Sequence, residues 1–352
     1  MILPHQGRIA AALALAITGP AAAQPAASWS IALHGGAGMI ERGDLDPATE
    51  AAYRRVLAAA LETGSKVLRE GGSSLDAVEA ATRLMEDDPL FNAGRGAVFT
   101  AEGRNELDAA IMDGSTLKAG SVAGVTTVRN PITLARAVME KSPHVMLIGP
   151  GAERFAAEQR VETVPPAYFF SERRWAGLER ELAKQNRPIP PRPAGAPRPA
   201  AALERAPLGE RKFGTVGVVA RDSRGRVAAG TSTGGMTAKR WGRVGDVPVI
   251  GAGTYADSDC AVSATGSGEY FIRLTVAREI CALHEYKGLS IQAAADEVVQ
   301  RRLTALGGDG GVIVMDGQGA SAFSLNTSGM YRARAASNRA PEVAIYKDEG
   351  AR

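Results

Sequence analysis

The chain has 352 residues, 45% hydrophobic and 22% charged, the composition of a folded globular protein rather than a disordered or fibrous one. Forty-one Lys and Arg against 38 Asp and Glu give a formal charge of +3. Three of those arginines fall in one proline-rich stretch, so the body is near neutral and offers no basic groove for nucleic acid. Four histidines (His5, His34, His144, His284) and two cysteines (Cys260, Cys281) stand at no metal-binding spacing, which argues against an ordinary structural zinc site and leaves histidine-based catalysis thinly supplied.

The chain opens with His5 and Arg8 before an apolar run, 9–17, broken at Thr18-Gly19-Pro20 and followed by Ala21-Ala22-Ala23-Gln24. The run is far short of the roughly 20 apolar residues a spanning helix needs. It reads as a signal peptide over 1–23, with a mature chain beginning at Gln24 and a periplasmic or secreted destination. Residues 30–34 then form a short strand, and the glycines of HGGAG a tight loop after it. Asp46 caps a helix with Pro47 at its first position, stopped by Gly71-Gly72. A second helix runs over about 74–86 and another over about 132–140, with strands at 107–112, 120–128 and 145–148.

At about 185–212 the character changes. Residues 187–199, RPIPPRPAGAPRP, hold six of the 19 prolines, which neither a helix nor a sheet interior accommodates, so this is an exposed linker. Beyond it, 215–220 and 226–232 flank RDSRG as a hairpin, and 311–315 and 320–325 form another around DGQG. Helical periodicity covers 267–286 and 289–306. The strands are near-continuously apolar and hence buried on both faces, and a four-layer αββα sandwich uses these elements well, although periodicity alone does not separate it from a three-layer α/β fold. Export permits a disulfide, but Cys281 on a helix reads as a plain core residue, and a Cys260–Cys281 bridge is not expected.

Forty-one glycines, well above the usual level of about 7%, cluster in short motifs. LHGGAG at 33–38, LFNAGRGAVFT at 90–100, ELDAAIMDG at 106–114, GTVGVVA at 214–220, TSTGGM at 231–236, GRVGDVP at 242–248 and TGSGE at 265–269 occur in order. Together they resemble the plant-type L-asparaginase and isoaspartyl aminopeptidase family of N-terminal-nucleophile hydrolases. Glycosylasparaginase and threonine aspartase share GTVG and the later glycine loops, whereas HGGAG and LFNAGRGAVFT favour the isoaspartyl branch.

The resemblance gives the linker a purpose. A threonine hydroxyl is a weak nucleophile without a base beside it, and a chain-terminal threonine carries its own α-amine, of pKa about 7.7–8.0. Cleavage between Gly214 and Thr215 would create that base, dividing the mature chain into 24–214 and 215–352 within one domain. By resemblance, Thr233 supports the nucleophile, Thr265 and Gly266 supply the oxyanion hole, and Asn92 positions the nucleophile's amino end. Arg243 and Asp246, with Gly266 and Gly268, hold the α-carboxylate and α-amine of an aspartyl substrate. Charge supports the Arg243 and Asp246 assignment independently, because a zwitterion needs a rigid cationic fork and an anion close by.

The resemblance also implies a structural Na+ or K+ held by backbone carbonyls of Met85, Asp88, Phe91, Ala93 and Arg95, no cofactor for catalysis, and a dimer of αβ units. The expected activity is removal of N-terminal L-isoaspartyl residues from peptides and hydrolysis of L-asparagine. Small molecules and dipeptides are the expected partners, not nucleic acid or, once the signal is removed, membrane. Glycosylasparaginase activity and an unprocessed, non-catalytic binding relic are the alternatives.

Overall fold

The computed structural model describes residues 28–196 and 214–350. The signal segment 1–23, the expected start at Gln24 and the linker from residue 197 onward lie outside the described residues. The strands are β1 (Ser30–Gly38), β2 (Leu107–Asp113), β3 (Ala119–Val125), β4 (Met146–Ile148), β5 (Val216–Arg221), β6 (Val227–Thr233), β7 (Thr254–Ala256), β8 (Cys260–Gly266), β9 (Gly310–Asp316), β10 (Ser321–Leu325), β11 (Gly329–Ala336) and β12 (Arg339–Tyr346). Among the described residues they form an eight-stranded sheet, β12-β11-β1-β5-β6-β2-β3-β4, and a four-stranded sheet, β10-β9-β8-β7.

Helices α1 (Pro47–Arg69), α2 (Ser74–Glu86) and α3 (Pro131–Lys141) cover the large sheet, burying Tyr53, Leu57, Val78 and Ile132 against Ile31, Leu33, Val216 and Val218. Helices α4 (Gly149–Glu158) and α5 (Glu172–Lys184) extend the first half of the chain. In the second half, α6 (Gly268–Leu274), α7 (Val276–Lys287) and α8 (Ile291–Asp296) belong to the small-sheet side. Val276, Ile280 and Ala294 pack there on Val262, Ala264 and Val314. Between the sheets lies a third apolar layer that includes Ala32, Val219, Ala229, Ala261, Ile313 and Met330. Helix, sheet, sheet and helix therefore stack as the expected αββα sandwich.

Several expectations hold. Asp46 accepts hydrogen bonds from Ala48 and Thr49 N–H with Pro47 in the first turn, and Ser73 with Asp76 closes a capping box on α2. Both predicted hairpins form.

Four expectations are corrected. The glycines after His34 are not a loop, because β1 continues to Gly38 through a register shift between His34 and Ala37 against β11. Gly35 permits this, since a Cβ there would sit 2.3 Å from Phe91 Cε1. The predicted helix over 267–286 breaks at Thr275, whose left-handed backbone separates α6 from α7. The linker is not wholly free at its start: Arg192 pairs with Glu172 and lies 5.4 Å from the Phe170 ring and 5.7 Å from the Trp175 ring, seating that end on an aromatic face.

Finally, Cys260 and Cys281 form a disulfide, their Cα atoms 5.6 Å apart. Strand β8 turns Cys260 toward the helices and α7 packs its Cys281 face on that strand, within bridging range. That proximity follows from how strand and helix pack, which the 21-residue separation does not reveal.

Candidate active site

Side chains alternate across a strand, and that alternation builds the site. On β5, Val216, Val218 and Ala220 face the helices, so Thr215, Gly217 and Val219 face the inter-sheet layer. On β6 the same parity puts Thr231 and Thr233 inward, while Ser232 points the other way and donates to Glu86 at 2.6 Å. On β8, Cys260, Val262 and Ala264 face the helices, leaving Ser263 and Thr265 inward. Chain segments distant in sequence thus send their hydroxyls into one layer.

Thr215 precedes the first paired residue of β5, near the middle of the large sheet. Its Oγ1 donates to Thr233 Oγ1 at 3.0 Å, and Thr233 Oγ1 also accepts from Gly235 N–H at 3.0 Å. Asn92 binds both sides of this pair. Its N–H donates to the Gly214 carbonyl at 3.0 Å, its own carbonyl accepts from Gly234 N–H at 3.0 Å, and its Nδ2 donates to the Gly235 carbonyl at 2.8 Å. Gly214 must be small, because a Cβ there would lie 2.7 Å from Asn92 Cβ. Three predicted residues and the Gly214–Thr215 bond are thereby brought together.

Thr265 lies at the end of β8 with its hydroxyl buried and without a hydrogen-bond partner. Gly266 is enforced by packing, since a Cβ there would meet the Asp309 carbonyl at 2.4 Å. The predicted substrate residues come from two segments, Arg243 and Asp246 from the loop between β6 and β7, and Gly266 and Gly268 from the junction of β8 with α6. A Cβ on Gly268 would lie 2.7 Å from an Arg243 terminal nitrogen and 2.8 Å from Asp246 Oδ1, so the glycine keeps open the space between fork and carboxylate. Here the structure adds a residue that sequence reasoning left out. The Arg243 fork holds Glu269, with Nε and Nη2 at 2.9 and 3.0 Å, and Glu269 is the last letter of TGSGE.

The charges are unevenly solvated. Asp246 is buried with Oδ2 unpartnered, and desolvation pushes its carboxyl up to about 7 despite the opposing pull of Arg243. Asp108, opposite Thr233 in the β2–β6 register, is also raised by burial, with the buried Lys239 ammonium 4.0 Å away pulling it down.

The raised Asp246 value carries a stability prediction. The folded carboxyl holds its proton more tightly than an unfolded one near 3.9, so folding stability falls as pH rises from about 4 to 7. Asp246→Asn removes that penalty. Thermal denaturation should show the variant gaining on the wild type at pH 8 relative to pH 5, and a larger gain at pH 5 would contradict the assignment.

The loop from α2 to Gly96 is packed tightly on backbone carbonyls. At Gly94 (φ +49°) a Cβ would meet the Glu86 carbonyl at 2.3 Å, and at Gly96 it would meet those of Phe91 and Pro89 at 2.0 and 2.7 Å. The carbonyls of Met85, Asp88 and Ala93 each accept one backbone N–H, from Asp88, Phe91 and Gly96, and keep a second lone pair. Arg95 turns its exposed side chain outward, 5.7 Å from the Tyr168 ring. These three carbonyls thus keep oxygen lone pairs of the kind a hard monovalent cation would take. No group of three or more His, Cys, Asp or Glu among the described residues could hold a metal.

A sequence model of a family described as asparaginase matches residues 27–345. The chain belongs to this asparaginase family. It is 50% identical to an isoaspartyl peptidase of Escherichia coli K12 over 324 residues, 91% of this chain and 97% of the relative. It is 43% identical to a probable isoaspartyl peptidase/L-asparaginase 2 of Arabidopsis thaliana, covering 91% and 99%. To a plant-type L-asparaginase of Pyrococcus abyssi it is 40% identical, covering 86% and 94%. All the site residues named above lie inside the asparaginase match.

Proposed function

We propose that this protein is a threonine hydrolase that cleaves its own chain between Gly214 and Thr215. It then removes N-terminal L-isoaspartyl residues from peptides and hydrolyses L-asparagine to L-aspartate and ammonia. The observation that carries the reading is the Thr215–Thr233 hydroxyl pair, 3.0 Å apart, beside a Gly214 carbonyl held by Asn92 N–H. The names of the relatives support isoaspartyl and asparagine substrates over glycosylasparagine.

In the first reaction Thr215 Oγ1 adds to the Gly214 carbonyl carbon and the peptide nitrogen leaves as an amine, giving an ester that water hydrolyses. In the second, Oγ1 adds to the substrate's β-carbonyl and gives its proton to the Thr215 amine, which passes one to the departing amine or ammonia. Thr265 and Gly266 receive the developing oxyanion, a role suited to the unpartnered Thr265 hydroxyl. Water then releases aspartate. Arg243, Asp246 and Gly268 hold the substrate's charged main-chain groups, with the substrate carboxylate replacing Glu269 on the fork. A Na+ or K+ on the carbonyls of Met85, Asp88, Phe91, Ala93 and Arg95 would fix the loop that carries Asn92.

The reading is tested by assaying the purified protein on a β-aspartyl dipeptide and on L-asparagine, alongside denaturing electrophoresis. Two fragments and release of amine and ammonia are expected. One intact band with neither activity would support a binding relic instead.

Export belongs to the same proposal and is supported by the Cys260–Cys281 disulfide, since such bonds persist in oxidising compartments. The periplasm or medium should yield a chain starting at or near Gln24. An unprocessed Met1 chain in the cytosol would overturn this. A dimer of αβ units completes the reading.

A further inference from the structure

Four wholly buried polar side chains, His34, Thr231, Thr254 and Ser263, lie together behind Thr215. They come from β1, β6, β7 and β8, two strands of each sheet. His34 Nδ1 is 3.1 Å from the Thr215 carbonyl oxygen and Nε2 is 3.0 Å from Ser263 Oγ. Ser263 Oγ and Thr231 Oγ1 are 2.7 Å apart, as are Thr231 Oγ1 and Thr254 Oγ1. Unsatisfied polar groups in so apolar a layer would be costly.

The direction of each bond follows from counting hydrogens. A carbonyl only accepts, so His34 Nδ1 carries the proton. Burial pushes the imidazole down to about 3, so the ring is neutral and Nε2 is an acceptor. Ser263 therefore donates to it, Thr231 donates to Ser263, and Thr254 donates to Thr231. The longer contacts of Thr231 with the Gly253 carbonyl, 3.3 Å, and of Thr254 with the Val247 carbonyl, 3.1 Å, are the weaker alternatives. All four hydrogens point toward the Thr215 carbonyl. Gly217 makes room for the chain, since a Cβ there would fall 1.8 Å from Ser263 Oγ and 2.4 Å from His34 Nε2.

Thr215 needs such a support because the sheet stops short of it. The β5 pairing with β1 ends at Gly217–His34 and that with β6 at Val216–Ser232. In the intact chain the Gly214–Asn92 bond also steadies Thr215. Once Gly214 is cut away, Thr215 is a first residue at a strand end, where chains fray. We propose that Ser263, Thr231 and Thr254 are positioning residues that act through His34 to hold the carbonyl of the cleaved chain's first residue, and with it the attacking hydroxyl and amine. This inference rests on the reading of Thr215 as nucleophile.

The test uses the cleaved enzyme with Thr231→Val, Thr231→Ser and Ser263→Ala. Thr231→Val keeps the shape without the hydroxyl, and Thr231→Ser keeps the hydroxyl. Chain cleavage should persist in all three, because Asn92 still holds Gly214 in the intact chain. In Thr231→Val and Ser263→Ala kcat should fall about ten- to a hundredfold, the cost of a small misplacement of reacting groups, with KM little changed. Thr231→Ser should stay near the wild type. Nitrogen NMR of the wild-type His34 ring should show the proton on Nδ1.

Unchanged kcat in folded, cleaved Thr231→Val and Ser263→Ala would overturn the inference while leaving the hydrolase reading intact. So would Thr231→Ser losing as much as Thr231→Val, or a wild-type ring protonated on Nε2. A wild type that neither cleaves nor turns over would instead overturn the hydrolase reading, and the inference with it.

Discussion

Thr215→Ala should yield a single uncleaved chain with no measurable turnover of L-asparagine or a β-aspartyl dipeptide. The substitution removes the oxygen that lies 3.0 Å from Thr233 Oγ1, so nothing attacks the Gly214 carbonyl and no α-amine is freed. His34, with Nδ1 3.1 Å from the Thr215 carbonyl oxygen, is held neutral with its pKa at about 3 and is too weak to substitute. The rate loss should be on the order of 10⁶, the scale seen when a covalent nucleophile is deleted. The fold should survive, because Thr215 lies ahead of the paired residues of β5. Electrophoresis and a sensitive ammonia assay check the result, and cleavage or activity in a folded Thr215→Ala protein would remove Thr215 from both reactions.

Gly268→Ala should give the second largest effect, and of a different kind. The new methyl would lie 2.7 Å from Arg243 and 2.8 Å from Asp246 Oδ1, in the space assigned to the substrate's main-chain groups. Arg243 can swing aside, so chain cleavage, which does not use this pocket, should go to completion. KM for both substrates should rise about ten- to a hundredfold, the loss of one charge-assisted hydrogen bond, with a smaller effect on kcat. Steady-state kinetics separate the two constants. An unchanged KM would place the substrate's charged groups elsewhere.

Much of the site was legible in the sequence because its backbone is. Gly214, Gly234 and Gly268 stand where a Cβ would strike Asn92, Asn92 again, and the Arg243–Asp246 pair. A glycine cluster in the chain thus marked close approach in space. The αββα layering was legible for a related reason: apolar runs such as TVGVVA predict strands buried on both faces, and alternation then fixes which residues meet the second sheet.

What could not be read depends on strands that meet only after folding. His34, Thr231, Thr254 and Ser263 share no spacing, and only the crossing of two sheets joins them. Glu269 was visible as a letter of a motif, but its grip on the Arg243 fork needed α6 to begin at Gly268. The Cys260–Cys281 bridge depended on where α7 lies on β8, and the strand through Gly35 on Phe91 filling the space a side chain would take.

Trapping the covalent intermediate tests the central claim most directly. Wild-type protein mixed with excess β-aspartyl substrate, quenched in acid within one turnover and analysed by mass spectrometry should show a fragment beginning at Thr215. That fragment should carry one aspartyl group, and fragmentation should place the group on the Thr215 hydroxyl. Full turnover by a chain still intact across Gly214–Thr215, or an aspartyl group on any other residue, would contradict the account.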